Sequence, residues 1–441
     1  MIDDRAGIDA AERPDAPGRG LELDLERVLS DARALAFPRY PGSDGDRRAI
    51  AMVAERLAEA GLAVTRESFS YDVAPIFRGL STVLVALALV VAAAGWGLAR
   101  APGPVLLALG ASFAAAALLL GWSPWLERLY RRPGPTTTEN VAGRRDAAGA
   151  PRLTIVLLAH HDSKSQNLTM LARGALTVVA LLGSAGLAAL AAAALMRGAP
   201  PGPAWLGPAG GLITAAALLA LSTLRSGNRS PGGVDNAGSL ALILELGRRL
   251  PPQAPDDVEW IVLSTGAEED HMVGAIRWLD AHREALRGRP VWVLNFDGAG
   301  APGKVALLER FGFGRRFSPT LSRLARRCAE RLGIPVRGVY LPPAMGIDAI
   351  PFAHRGVDCL TFTSGSLDRA TLAVHSPRDV AENLDRATLE RVARLAAAVA
   401  LDLARGDGDP IGPSPSPVAA DASRRDASRQ PGNSRADGGR R

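Results

Sequence analysis

The sequence predicts an α/β fold: a three-layer α/β/α domain with a mostly parallel central sheet, interrupted by two transmembrane helical hairpins. Short, almost wholly apolar runs alternate along the chain with stretches of helical periodicity. Such runs are typical of strands covered on both faces, and their alternation with helices favours parallel pairing. Four much longer runs without a charged residue divide the α/β part and predict the hairpins.

The predicted elements of the α/β part begin with a helix over residues 46–60. Ile50, Val53 and Leu57 lie on one face of this helix, and Gly61 ends it. A strand follows over 62–71. Apolar runs predict buried strands over 153–159, 258–264, 291–296 and 357–363, and helical periodicity predicts helices over 237–250, 272–285, 321–332 and 387–404.

The four uncharged runs are each long enough to cross a bilayer, for which a helix needs about 20 apolar residues. They cover residues 80–99, 101–126, 174–196 and 198–224. Short links join them in pairs, so we expect hairpins over 79–126 and 171–225. Buried core helices are the alternative, but core helices of this length seldom lack a polar face.

The charges beside the spans predict which side of the membrane carries the α/β domain. An even number of spans puts both termini and this domain on one side. The opposite loops contain only Arg100 and Arg197, whereas the basic residues near span ends on the domain's side are Arg78, Arg128, Arg131, Arg132, Lys164, Arg173, Arg225 and Arg229. By the positive-inside rule we expect an inner- or plasma-membrane protein with a cytoplasmic domain.

The remaining composition separates the ends of the chain from the folded part. Residues 1–22 and 406–441 are rich in Gly, Pro, Asp and Arg, and we expect them to be disordered. This leaves 23–78, 133–170 and 226–405 for a discontinuous α/β domain. The net charge of +6 comes from arginines without interleaved aromatic residues, which argues against nucleic acid and favours a lipid bilayer as a partner.

Acidic residues and histidines stand where predicted strands run out into loops. They are His160, Asp162, Asp235, Glu268, Glu269, Asp297 and His375. A water-activating zinc pair needs nitrogen and oxygen ligands, a carboxylate that bridges both ions and a free carboxylate near the attacking water. Glu268 and Glu269 are adjacent in a loop, so that one can ligate while the other faces the water. Asp162 projects to the same side as His160 and can orient its imidazole.

Each motif taken alone has an ordinary structural explanation. An H-x-D triplet is common in surface turns, and paired glutamates are usually solvated. Asp235 could cap a helix, and Asp297 could be a turn residue before Gly298. The prediction therefore depends on the order of the motifs and on their placement at strand ends, where no other His, Asp and Glu cluster competes.

The order of these motifs resembles the di-zinc aminopeptidase family that includes bacterial leucyl aminopeptidases, aminopeptidase Y and glutamate carboxypeptidase II. The matching segments are HHDS at 160–163, GVDNA at 233–237, AEE at 267–269, NFD at 295–297 and HSPRD at 375–379. DAIPF at 348–352 is similar to the family's acidic loop before the last histidine. The resemblance covers residues 25–78 and 137–405.

The resemblance implies a ligand set for two Zn²⁺ ions. One ion would be held by His160 and Asp297. The other would be held by Glu269 and His375, with Asp235 bridging the two.

The resemblance also implies the activity, that of a zinc-dependent exopeptidase, which the predicted hairpins would anchor in a membrane. We expect an aminopeptidase that removes N-terminal residues from peptides by a metal-bridged hydroxide. Carboxypeptidase and dipeptidase relatives share the same metal set, so the end of the peptide that is attacked stays open. Glu268 would be the general base that deprotonates the bridging water, and Asp162 would hold His160.

The sequence departs from the family's pattern in two places. Asp270, His271 and Met272 follow the glutamate pair, where the family usually has a Gly-Leu-type pair. We expect His271 to be a partly exposed residue at a helix start. The second hairpin is inserted between His160 and Asp235, which puts the site within one loop of the membrane, so we expect membrane-proximal or amphiphilic peptides as substrates.

Two other functions stay open. A glutaminyl cyclase relative would share the fold but bind a single zinc ion, so zinc stoichiometry separates it from a di-zinc peptidase. A non-enzymatic membrane scaffold of the same fold is disfavoured because every expected ligand is present. A transporter would need ionisable groups inside the spans, which have none.

Overall fold

The structure is a computed structural model of the chain, and it describes residues 22–120, 127–199, 202–343, 345–366 and 368–406. The ends that the sequence predicts to be disordered lie outside these ranges, except for residues 22 and 406. The last part of the first predicted hairpin, 121–126, also lies outside them.

The described residues form strands of two to ten residues. They are β1 (Ala63–Tyr71), β2 (Thr136–Arg145), β3 (Leu153–His160), β4 (Ser165–Gln166), β5 (Ser226–Gly227), β6 (Val258–Thr265), β7 (Val291–Phe296), β8 (Lys304–Phe311), β9 (Arg315–Arg316), β10 (Val336–Leu341) and β11 (Asp358–Gly365). In the described residues, nine of these strands form one mixed sheet in the order β1-β2-β6-β3-β7-β11-β8-β10, with β9 beside β8. The four central strands β6, β3, β7 and β11 run parallel, whereas β2 and β8 run antiparallel to their inner neighbours.

Helices cover both faces of this sheet. The helices are α1 (Leu25–Leu35), α2 (Asp44–Glu59), α3 (Ala74–Gly97), α4 (Pro102–Leu120), α5 (Glu127–Tyr130), α6 (Met170–Arg197), α7 (Leu206–Ser222), α8 (Gly238–Arg249), α9 (Val273–His282), α10 (Pro319–Leu332), α11 (Ala349–His354), α12 (Arg369–Ala373) and α13 (Arg386–Arg405). Successive side chains of a strand point to opposite faces. Accordingly, Ile155 and Leu157 of β3 pack with α1, α2, α8, α10 and α13, whereas Val156 and Leu158 pack with α9 and α11.

The predicted α/β fold with a mostly parallel sheet is therefore confirmed. The four apolar runs are β3, β6, β7 and β11, each within about two residues of its predicted bounds, and their central positions explain why nearly every residue in them is buried. The sequence did not predict β2, β8 and β10. β2 and β10 lie near the edges of the sheet and carry polar residues, so they lack a continuous apolar run.

The expectation of four spans is met in part. The described residues contain two helices that are long and apolar enough to cross a membrane, α3 and α6. The other apolar helices are shorter, covering Pro102–Leu118 in α4 and Leu206–Ser222. Pro203 precedes α7, whose 17 residues rise by about 26 Å, against a hydrocarbon core of about 30 Å.

The two apolar helices α6 and α7 leave the α/β domain and return to it at one point. β4 precedes α6 and pairs with β5, which follows α7. Asn167 strengthens this junction, because its side chain donates to the Thr223 carbonyl and accepts from the Arg225 backbone N–H. The chain can therefore carry a long insertion here without separating His160 from Asp235.

Candidate metal centre

The parallel strands bring three of the predicted site segments to one edge of the sheet. His160 ends β3, Glu268 and Glu269 follow β6, and Asp297 follows β7. Because these strands are parallel neighbours, their carboxyl ends coincide, and His160 is in register with Thr265. Asp235 and His375 reach the same edge from loops. All seven predicted site residues thus lie in one cluster.

The first group of donor atoms surrounds His160. Its Nε2 atom lies 3.2 Å from Asp235 Oδ1 and 4.0 Å from Asp297 Oδ2. The three ligand atoms lie within 4.8 Å of one another. One nitrogen and two carboxylate oxygens at this spacing suit a zinc ion.

The second group shares Asp235 with the first. His375 Nε2 lies 3.2 Å from Asp235 Oδ2 and 3.1 Å from Glu269 Oε2. These three atoms are also mutually within 4.8 Å. Asp235 therefore turns one carboxylate oxygen toward each group, which is the geometry of a bridging ligand.

The surroundings fit a divalent cation better than a protein-only network. The Nε2 atom of His160 is buried and has no hydrogen-bond partner, although carboxylates face it on several sides. A buried polar atom without a partner is costly unless another group completes its environment. A metal ion would use this lone pair and offset the repulsion between the neighbouring carboxylates.

Asp162 organises the segments around the first group. It is fully buried, and its two carboxylate oxygens accept the backbone N–H groups of Glu268 and Glu269 at 3.2 and 3.0 Å. Its backbone carbonyl lies 3.1 Å from His160 Nδ1. If His160 Nδ1 carries the proton donated to this carbonyl, its Nε2 lone pair is left for a metal ion.

Glu268 stands beside the donor groups and belongs to neither of them. Its Oε2 atom is 4.0 Å from His160 Nε2, and the side chain is buried. Burial, together with the charges of Glu269 and Asp297, raises the pKa of Glu268 well above its usual range. A carboxyl group with a raised pKa next to a metal site is suited to accept and return a proton.

The other carboxylates differ in how the site affects their ionisation. Burial alone would raise the pKa of Asp235, but the imidazoles of His160 and His375 hold it well below its usual range. Burial and repulsion from Asp235 raise the pKa of Asp297 to about 7. Burial also opposes the charge of Glu269, but Lys164 and His375 lower its pKa to about 2.

Two residues that the sequence did not single out for a role hold the site in place. Lys164 Nζ lies 2.9 Å from Glu269 Oε2 and donates to the Glu269 carbonyl at 2.8 Å. Asp379 accepts the backbone N–H groups of Val234 and Asp235 at 2.8 and 3.2 Å. Asp379 could have been found from the sequence, because it is the last residue of the HSPRD segment. Nothing in the sequence around Lys164, which follows HHDS, indicates that its partner is Glu269.

The residues after the glutamate pair connect the site to the base of the first hairpin. Asp270 is buried and accepts hydroxyl hydrogen bonds from Tyr40 at 2.9 Å and from Tyr71 at 2.8 Å. His271 is half-buried just before α9, as expected, and lies outside both donor groups. Its ring stacks on Tyr130 and contacts Phe77 of α3.

Asp348 lies behind the site at the start of α11. It is buried and accepts a hydrogen bond from the Thr265 hydroxyl, which belongs to the last residue of β6. Burial raises its pKa to about 7. The DAIPF segment thus supports the end of β6 and contributes no atom to either donor group.

Two nitrogen–oxygen donor groups that share a carboxylate, set at the carboxyl edge of a three-layer α/β/α sheet, define a metal-dependent hydrolase class. Residues 217–400 match the family model described as Peptidase family M28. This match supports the family of zinc metallopeptidases that the motifs predicted. The match includes Asp235, the glutamate pair, Asp297 and His375, and begins after His160.

Solved structures share the fold. A zinc aminopeptidase from Bacillus subtilis is similar with a TM-score of 0.53 and 14% identity, over 89% of this chain and 98% of that one. An aminopeptidase from Aneurinibacillus sp. strain AM-1 has a TM-score of 0.53 and 14% identity, over 87% of this chain and 94% of that one. A glutaminyl cyclase from Porphyromonas gingivalis has a TM-score of 0.50 and 13% identity, over 86% and 99%. No curated protein matched the chain.

Proposed function

We propose that this chain is a membrane-anchored exopeptidase that binds two zinc ions and removes N-terminal residues from peptides. The observation that carries this proposal is the pair of donor groups that share Asp235, with a separate buried carboxylate, Glu268, beside them. A single structural metal would need neither the second group nor the spare carboxylate.

The two donor groups support the proposed ligands. His160 and Asp297 would hold one zinc ion, Glu269 and His375 the other, and Asp235 would bridge them. Zinc ions bound there would lower the pKa of a coordinated water and polarise the scissile carbonyl. The usual N–H partner of a ligating histidine is a carbonyl or carboxylate, and for His160 Nδ1 the Asp162 carbonyl has this position.

Glu268 and Asp162 perform the protein's part of the reaction. Glu268 takes a proton from the attacking water at its carboxylate and gives a proton to the amine that leaves when the peptide bond breaks. Asp162 fixes the backbone of both glutamates, so that Glu268 faces the water while Glu269 ligates. It also orients His160 through the backbone carbonyl beside the ring.

The apolar surface of the hairpins supports a site at a membrane. Large apolar side chains on their outer surfaces face away from the protein, with Leu89, Leu107 and Leu182 exposed by 67%, 76% and 68%. Apolar surface of this extent is typical of contact with lipid. We propose that both hairpins cross an inner or plasma membrane, with local thinning around the shorter α7, and that the peptidase domain is cytoplasmic.

The substrate follows from the position of the second hairpin. Gln166, four residues before the apolar α6, donates its backbone N–H to the His375 carbonyl at 2.9 Å. The site therefore lies next to the point where the chain enters the membrane. Peptides that are amphiphilic or held near the bilayer reach such a site more readily than freely diffusing ones.

The test combines zinc content with hydrolysis of a panel of aminoacyl anilides by the detergent-purified protein. We expect two zinc ions per chain. Glu268→Gln should lower kcat by about 10²–10⁴-fold while zinc is retained, because the variant loses only the proton acceptor. Glu284→Gln, an exposed glutamate paired with Arg287, is the control and should keep full activity.

The fold of a glutaminyl cyclase suggests the alternative outcome. One zinc ion per chain, no anilide hydrolysis and cyclisation of an N-terminal glutamine would reject the peptidase in favour of a cyclase. Absence of bound zinc after loading and dialysis would reject both and leave a scaffold.

A further inference from the structure

Arg173 brings a cation from the second hairpin to the metal centre. It lies in the first turn of α6, and its Nη2 atom is 3.2 Å from Nδ1 of His375, 202 residues away in the chain. Its Nε atom is buried and has no hydrogen-bond partner. The guanidinium is thus held beside a proposed ligand with part of its donor capacity unused.

The contact with His375 is incompatible with metal ligation by that ring. If Nε2 ligates, its lone pair points at the metal, and in a neutral imidazole the proton is then on Nδ1. An Nδ1–H group and a guanidinium N–H are both donors. The two groups cannot hydrogen-bond to one another in the loaded site, so Arg173 needs a different acceptor there.

The neighbouring carboxylates do not supply this acceptor. The negative charges that act on Arg173 are those of Glu269 and Asp235. Both belong to the second donor group, and Glu269 is already paired with Lys164. A half-buried guanidinium that has lost its acceptor is unfavourable, and a carboxylate is the acceptor that its planar fork fits best.

We propose that Arg173 binds a carboxylate of the substrate just beyond the scissile bond. This inference rests on the proposed peptidase function and narrows its substrate class. The carboxylate must belong to the leaving side, because the N-terminal ammonium on the other side would repel the guanidinium. Two sources have this chemistry, the C-terminal carboxylate of a dipeptide and the side chain of an acidic second residue.

The geometry of a peptide agrees with this position. In a dipeptide the terminal carboxyl carbon lies roughly 4 Å from the scissile carbonyl carbon. The Arg173 guanidinium contacts His375, a proposed ligand of the second ion. It is therefore placed to meet a carboxylate one residue beyond a scissile carbonyl that is polarised at that ion. The hairpin would therefore contribute specificity as well as anchoring.

The experiment compares matched substrates that differ in one carboxylate. Leu-Leu is compared with Leu-Leu amide, and Leu-Glu amide with Leu-Gln amide. In the wild type we expect kcat/KM to favour the acid member of at least one pair by about 10–100-fold, mainly through KM, as a charged hydrogen bond implies. The pair that shows the preference identifies the source of the carboxylate. Arg173→Gln should reduce that preference to near unity, and Arg173→Lys should restore part of it.

Arg197→Gln is the matched control, since Arg197 ends the same helix and is exposed. It should keep the wild-type preference. Binding provides a second readout that does not depend on turnover. Calorimetric titration of the Glu268→Gln variant with the same pairs should show the acid preference, and Glu268→Gln combined with Arg173→Gln should lose it.

Two results for Arg173→Gln would overturn the proposal: an equal loss of kcat/KM for both members of each pair, or a fall in zinc content. Either result would make Arg173 a residue that only positions His375. No preference in the wild-type protein would overturn it as well. Failure of the zinc-loaded wild type to hydrolyse any substrate would instead reject the peptidase function, and the binding titrations would still decide the role of Arg173.

Discussion

At the residue scale, the main feature of the candidate metal centre is the close approach of several carboxylates. Asp235, Glu268, Glu269 and Asp297 are brought together in a site where the two glutamates are buried and the two aspartates are partly exposed. Without a metal ion the four carboxyl groups do not ionise equally. Cationic neighbours lower the pKa values of Asp235 and Glu269, whereas the pKa values of Glu268 and Asp297 are raised. A divalent cation is the group that lets all the ligating carboxylates ionise together.

Zinc affinity should therefore fall with pH below about 7. In the metal-free protein the pKa of Asp297 is raised to about 7, so at lower pH this carboxyl holds a proton that zinc must displace. Burial opposes the charge of His160, but hydrogen bonds to Asp162 and Asp235 raise its pKa well above the usual value, which adds a second proton. We expect at least a tenfold loss of affinity from pH 7 to pH 6.

Competition with a zinc chelator of known pH dependence measures this slope. Asp358→Asn is the control, because burial raises the pKa of Asp358 at the opposite end of β11, away from both donor groups. The slope in this variant should equal that of the wild type. An affinity that stays constant between pH 6 and pH 8 would contradict the assignment of Asp297 as a ligand.

At the element scale, the two hairpins are joined by close contact between α3 and α7. Gly207 and Gly211 form a G-x-x-x-G pattern on α7, and Gly95 faces them from α3. A Cβ atom on Gly211 would lie 2.9 Å from the Val91 carbonyl oxygen and 3.0 Å from Gly95 Cα. In lipid, helices associate through such small residues because apolar side chains gain nothing from leaving the hydrocarbon.

Gly211→Leu should separate α3 from α7 and destabilise the hairpin pair by about 1–3 kcal/mol. Thermal unfolding in detergent, followed by circular dichroism, measures the loss as a lower Tm. Gly186→Leu is the matched control on α6, because a Cβ there meets no atom within 4 Å. Both variants gain the same helix propensity, so the difference between them reports packing. Equal Tm values would show that this contact contributes little to stability.

At the scale of the whole molecule, each hairpin is tied to the site by its base. The second is closed by β4 and β5 and carries Arg173, and the first meets the loop after Glu269 through Phe77 and His271. The apolar hairpins are therefore joined to the α/β domain at the residues that surround the candidate metal centre. This arrangement explains how so long an insertion leaves His160 and Asp235 3.2 Å apart.

The proposed orientation predicts which positions an impermeant thiol reagent reaches in intact cells. The two native cysteines, Cys328 and Cys359, are buried and provide a low background. Ala99→Cys, in the exposed link after α3, should react from outside the cell. Asp146→Cys, exposed between β2 and β3, should react only after lysis. Reaction of Asp146→Cys in intact cells would place the peptidase domain on the outer side.

Much of the fold was predictable because buried parallel strands and amphipathic helices leave local patterns. β3, β6, β7 and β11 read as apolar runs, and the residues at their ends indicated the metal centre. β2 and β10 escaped prediction because they carry polar residues and so have no continuous apolar run. The fourth uncharged run covers residues 198–224, but α7 begins only at Leu206, after Pro203, so the helix is shorter than the run.

The sequence by itself determined the α/β architecture, the family and the residue types of the centre, since strand ends and ordered motifs are local properties of the chain. The tertiary structure alone decided which distant side chains meet. Lys164 pairs with Glu269, Asp379 holds the Asp235 loop, and Arg173 reaches His375 across 202 residues. No local pattern encodes such contacts, because they depend on how the hairpin base and the sheet edge pack against one another.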